Sequence, residues 1–174
     1  QQPLPARAVA PDVSCPAGFA KFSPVNIAGL TVRAAAAGLR DGAFSSLELV
    51  TALLAAVRGA NPALNAYIWL DEEDALRQAR EADAALAAGR PGPLLGVPLA
   101  VQDNISVEGQ PCGCASRILD GYRAPFDATV AARLRAAGAL LVGRANMDEF
   151  ALGPATATSC HGPTRNPADH GRLA

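Results

Sequence analysis

Two short polar runs stand where chemistry could be done. Gln102-Asp103-Asn104 follows the apolar run from Leu94 to Val101, and Asn146-Met147-Asp148-Glu149-Phe150-Ala151 follows Ala139-Leu140-Leu141-Val142-Gly143. Open α/β sheets bind ligands just past the C-terminal ends of their strands, which is where both runs fall. Carboxamides and carboxylates there can hydrogen-bond a polar ligand, or they can cap and pin loops. Proton transfer near neutral pH is a different demand. It needs a histidine, a tuned lysine or a perturbed acid. The chain has one lysine, Lys21, far upstream, and arginine supplies the remaining basic side chains. Arginine stays protonated, and the amide of Gln102 is neither acid nor base. Ser116, Ser159 and Cys160 are nucleophiles by type, with His161 and His170 as bases, but sequence neighbours such as Cys160 and His161 seldom face one another. A zinc reading would join Cys112-x-Cys114 to Cys160-His161. That CxC spacing is unlike a CxxC knuckle, and the two halves flank a helix–strand unit, so reduced thiols are the plainer reading and no metal or cofactor is expected.

The stretch from Pro93 to Pro167 resembles the amidase-signature family. Val101-Gln102-Asp103-Asn104 and Asn146-Met147-Asp148-Glu149-Phe150-Ala151 carry the likeness, as two motifs in the right order. Enzymes of that family hydrolyse amides with a Lys–Ser–Ser triad whose lysine ends a strand. The resemblance places Gln102 at the lysine position, and it places both serines in a Gly/Ser-rich segment beyond Ala174. It further implies that Asp103 and Asn104 order the strand end. Asn146, Met147, Asp148, Glu149 and Phe150 would line a substrate pocket and order the loop beside the serines. For Asp103, Asn104 and Asp148 loop pinning is the simpler role, with retained ligand binding the other.

These substitutions lead to the expectation of a pseudoenzyme: a chain that is not an enzyme by itself and acts as a structural or accessory subunit of a larger protein complex. The alternative is the N-terminal piece of an amidase, or of a glutamine-dependent amidotransferase, with its serines on a further segment. Other protein chains are the expected partners. A start at glutamine without methionine suggests processing and favours a mitochondrial or plastid complex.

The 174 residues carry a formal net charge of −1, which gives no electrostatic case for nucleic acid or an anionic membrane. No apolar run in the sequence reaches the ~18–20 residues that span a bilayer. Half of the residues are apolar but only 5% are aromatic, so the core must rest on close packing over small side chains.

The elements that must position these residues follow from pattern. Residues 1–27 form a Pro-rich N-terminal arm, and residues 28–174 form the truncated amidase-signature domain. A short helix starts at Thr31 and closes at Gly42. Ser45 and Glu48 have capping-box spacing ahead of a second helix, which Asn61-Pro62 should break. Residues 66–70 read as an extended segment. Asp71 to Asp74 crowd the first turn of a helix that runs to Gly89, where their charge suits the dipole. Leu94–Val101 and 139–143 read as buried parallel strands, joined through a helix that Asp127 opens and Gly138 ends. Another helix should start at Met147. The fold class is therefore α/β, with N-terminal helices followed by an incomplete sheet with a βαβ-type unit. Leu95, Val97, Leu99, Val101, Leu140, Leu141 and Val142 should be buried, and the open sheet edge should need a partner.

Overall fold

The computed structural model describes residues 25–90 and 92–172, so most of the Pro-rich arm lies outside the described residues. Helix α1 (Val32–Arg40) starts where the Thr31 hydroxyl accepts the Ala34 amide, and α2 (Ser46–Leu64) starts at the anticipated capping box. Strand β1 (Tyr67–Leu70) leads into α3 (Glu72–Ala87), where the Asp71 carboxylate caps the Asp74 amide. Strand β2 (Pro98–Gln102), α4 (Thr129–Ala136) and β3 (Leu140–Ala145) come next. The sheet order is β1-β3-β2. Strand β3 lies in the centre, parallel to β2 and antiparallel to β1. The α/β class and the parallel unit with its intervening helix are as the sequence predicts.

Alanine explains how the layers close. Ala75, Ala79 and Ala82 present a flat face of α3, against which Val50 and Leu54 of α2 and Leu140 and Val142 of β3 pack. On the opposite sheet face Val101 and Leu141 meet Val107 and Ala131. A third cluster joins Ala35, Ala36, Leu39 and Leu49 to Val97. Fully burying a Val or Leu side chain is worth about 1.5–3 kcal/mol, so these two-sided contacts fix β3 as the anchor of the sheet. The helix–strand turn at Gly138 is as tight: a Cβ there would sit 2.7 Å from the Cα of Leu95, and φ is +90°.

Several sequence expectations give way. Asn61-Pro62 does not break α2. Proline's fixed φ is compatible with a helix, and the helix runs on until Asn65 adopts the left-handed conformation (φ 54°) that ends it. The first strand of the parallel unit starts at Pro98, because the residues before it turn across α1 and α2. Leu95 and Leu99 are accordingly half-buried, while Val97, Val101, Leu140, Leu141 and Val142 are buried as expected. Asp127 does not cap α4. Its carboxylate accepts the Glu108 amide and pairs with Arg135 at 3.0 Å. No α-helix starts at Met147. A single 3-10 turn, Glu149–Ala151, forms instead, with Phe150 in the left-handed region (φ 51°), because Asp148 is engaged elsewhere. Among the described residues α2 is long and apolar enough, at 19 residues, to cross a membrane by those measures alone, although no such run was expected. Its Val50 and Leu54 lie in the core against α3 and β3.

Candidate functional site

The two polar runs meet, as their positions at neighbouring strand ends require, since Gln102 and Ala145 are paired in register. Gln102 and Asn104 are exposed at the end of β2, whereas Asp103 between them is 2% exposed. The alternation of a strand end sends Asp103 inward. One of its carboxylate oxygens accepts the amides of Gly113 (3.2 Å) and Ala115 (2.9 Å), and the other faces the Arg144 guanidinium, with Nε at 3.5 Å. Its carbonyl accepts the Cys114 amide and the Cys112 thiol.

The turn held in this way is strained. Cys114 and Ala115 have φ of 52° and 49°, a region that costs a non-glycine residue about 1–3 kcal/mol and persists only where surrounding contacts over-determine it. Those contacts come from the second polar run and the loop C-terminal to it. The Phe150 amide donates to the Cys114 carbonyl, the Cys160 amide to the Ala115 carbonyl, and the Ser116 hydroxyl to the Glu149 carboxylate at 2.6 Å.

Asp148 organises the far side. Its carboxylate accepts the amides of Ala155, Thr156 and Thr158 and the Thr158 hydroxyl. Desolvation opposes ionisation there, but these four donors outweigh it and hold the carboxyl at about 2, well below its ordinary value. A Cβ on Gly153 would lie 2.6–2.8 Å from that carboxylate, so only glycine fits against it.

Asn146 ties the junction together. Its amide nitrogen donates to the carbonyls of Asn65 and Gly162, and its oxygen accepts the Ser159 hydroxyl and the Met147 amide. Met147 is buried beside it. Asn65, absent from the residues that the motifs single out, bonds the carbonyls of His161, Gly162 and Pro163 from the end of α2. Its signal is present in the chain: an asparagine just after a helix favours the left-handed closing residue. Arg144 is equally absent from the motifs, because the apolar pattern ends the strand at Gly143 and leaves the arginine in the loop after it, whereas it lies inside β3.

Beside this framework lies a cleft of about 440 Å³ whose walls include Trp69, Asp103, Ser116, Tyr122, Cys160 and His161. Residues 146–150 are not among those that wall this cleft, although Phe150 and Glu149 bond the Cys114–Ser116 turn beside it. The two candidate serines are held in structural bonds, Ser116 on Glu149 and Ser159 on Asn146, while Cys160 lies on the cleft wall. His161 approaches Ser159 through its backbone amide, not its ring. Burial pushes the Cys114 thiol up, with Cys112 and Asp103 adding to the effect and Arg144 opposing it. His170 is exposed. Among the described residues no group of three His, Cys, Asp or Glu side chains could hold a metal.

Comparison with known proteins gives this arrangement its family. The Amidase family profile matches residues 48–174. The A subunit of glutamyl-tRNA(Gln) amidotransferase from Azotobacter vinelandii is 51% identical over 138 residues, which cover 79% of this chain and 29% of that protein. The crystal structure of the corresponding subunit from Thermotoga maritima superposes with a TM-score of 0.59 at 34% identity, covering 74% of this chain and 26% of that one. The peptide amidase of Stenotrophomonas maltophilia superposes with a TM-score of 0.71 at 34% identity, over 80% and 30% of the respective chains. The chain thus spans about three tenths of the length of these relatives and corresponds to their N-terminal part. The expectation of a chain that is not an enzyme is overturned by these matches, which are to amidotransferase subunits and to an amidase. It had rested on Gln102 and on the placement of both serines beyond Ala174, and these do not outweigh identity at half of 138 positions. Framework, fold and sequence agree that this chain belongs to the amidase family.

Proposed function

We propose that the chain is the N-terminal portion of an amide-hydrolysing enzyme similar to the A subunit of glutamyl-tRNA(Gln) amidotransferase, releasing ammonia from glutamine or a related amide in company with partner subunits. The observation that carries the reading is the convergence of the two polar runs on one strained turn. Asp103 at the end of β2 and Phe150 after β3 both bond the Gly113–Ser116 segment, which builds a rigid floor beside position 102. The likeness to the Azotobacter vinelandii protein and to the Stenotrophomonas maltophilia amidase supports the chemistry. In this reading Gln102, exposed at the strand end, orients a substrate by hydrogen bonding. It takes up no proton, so the reaction proceeds without the contribution of a base at that position.

The test is ammonia release from glutamine and from a simple amide by the intact protein that carries this segment. A positioned general base contributes about 10²–10⁴-fold, so Gln102→Lys should raise turnover into that range while leaving the fold unchanged. Exposed substitutions of this kind usually shift stability by no more than about 0.5 kcal/mol. Absence of ammonia release from both the unsubstituted protein and Gln102→Lys would refute the proposal.

A further inference from the structure

Arg144 is the largest side chain of the described core and is fully buried. An arginine cannot shed its charge, so a buried one must be paired or bear a heavy desolvation penalty. The Arg144 Cα pairs with Val101 across the parallel ladder, and its side chain reaches along β2 to the residues just beyond the strand. Its Nε faces the Asp103 carboxylate at 3.5 Å, and its Nη2 donates to the Ile105 carbonyl at 2.7 Å. The two links straddle Asn104, so one planar fork fixes the chain on both sides of the strand-end bend. Asp103, oriented in this way, uses its other oxygen to accept the amides of Gly113 and Ala115.

A third donor, Nη1, is buried without a hydrogen-bond partner. Replacing a buried ion pair by apolar groups is often neutral or stabilising, so stability alone does not call for an arginine here. The cost is tolerated where geometry matters, and the geometry here is that of the backbone next to position 102.

We propose that Arg144 is a positioning residue for the amide-hydrolysing site: through Asp103 and Ile105 it sets the direction of the strand end that presents residue 102 and the place of the Gly113–Ser116 turn beside it. This rests on the amidase reading above. Lysine at 144 would keep the charge but lose the fork, since an ammonium is a point donor that cannot hold the Asp103 carboxylate and the Ile105 carbonyl in one plane.

The experiment compares the intact protein with Arg144→Lys and with the double variant Arg144→Met/Asp103→Asn, which removes both charges at once. Arg144→Lys should melt as one transition near the unsubstituted protein. Its kcat for ammonia release should fall by about tenfold or more while KM for glutamine changes less than about threefold, the signature of misplaced groups and not of lost folding or binding. Amide exchange at Gly113 and Ala115 should quicken about tenfold. The double variant should keep its melting transition and still lose kcat. Unchanged kcat in either variant, or unchanged exchange in Arg144→Lys, would overturn the proposal. If neither the unsubstituted protein nor Gln102→Lys releases ammonia, the amidase reading falls by itself. Exchange then decides the clamp: faster exchange at Gly113 and Ala115 supports it, and unchanged exchange overturns it.

Discussion

Asp83, on α3, closes the N-terminus of α2 from a distance of more than thirty residues in sequence. Its carboxylate oxygens accept the amides of Ser46 (2.6 Å) and Leu47 (3.0 Å). The Ser45 hydroxyl takes the Glu48 amide and the Glu48 carboxylate takes the Ser45 amide, so every amide that the first turn leaves without an intrahelical partner is bonded. Asp83→Ala removes two of these four acceptors. Ser46 is fully buried, with its hydroxyl on the Gly96 carbonyl, so water cannot readily replace the lost acceptor; an unmet buried donor costs about 2 kcal/mol. Leu47 is half-buried and its amide rehydrates more cheaply. Loss of the negative charge at the helix start adds about 0.5–1 kcal/mol. We expect a total near 3 kcal/mol for Asp83→Ala, from the unmet donors and the dipole together. Ser45→Ala, which removes one local cap, should cost about 1 kcal/mol. Urea unfolding of the intact protein, followed by far-UV circular dichroism at constant m-value, measures both. The reasoning fails if Asp83→Ala costs less than Ser45→Ala. The Ser46 hydroxyl anchors the chain at Gly96, two residues before β2, so the same loss should loosen the strand that presents Gln102.

The remaining predictions concern the loop around Asp148. Its carboxyl is held at about 2 against an ordinary value of 3.8, so its stabilising contribution is fully present above pH 3.8 and is lost as pH falls through about 2. Amide exchange at Ala155, Thr156 and Thr158 should therefore stay protected down to about pH 3, and an Asp148 titration by NMR with a midpoint near 4 would contradict this. Gly153→Ala forces a methyl group onto a carboxylate fixed by four donors and should cost about 1–3 kcal/mol, read by thermal melting. A melt indistinguishable from the unsubstituted protein would show that the loop yields.

Much of this molecule was legible in the chain itself. Short-range patterns set the helix starts at Thr31, Ser45 and Asp71, because a capping side chain and the amide it serves lie within three residues of each other. Apolar runs marked β2 and β3, and the polar residues after them marked the place of the site. The resemblance carried by 101–104 and 146–151 named the family correctly. It misled on activity, since one altered side chain and a serine segment placed beyond Ala174 were allowed to stand for the whole.

What sequence could not settle was the partner of each polar side chain. Asp127 and Asp148 look alike as helix-initiating carboxylates and Asp83 sits inside a helix, yet the first pairs with Arg135, the second gathers the 155–158 loop and the third caps a helix remote in sequence. Arg144 among apolar neighbours carries no local sign that Asp103, 41 residues away, will meet it. Local spacing determines which amides need acceptors. Only the folded chain, by bringing strand ends and loops together in a water-poor interior, decides which carboxylate each finds and so fixes the strained turn beside Gln102.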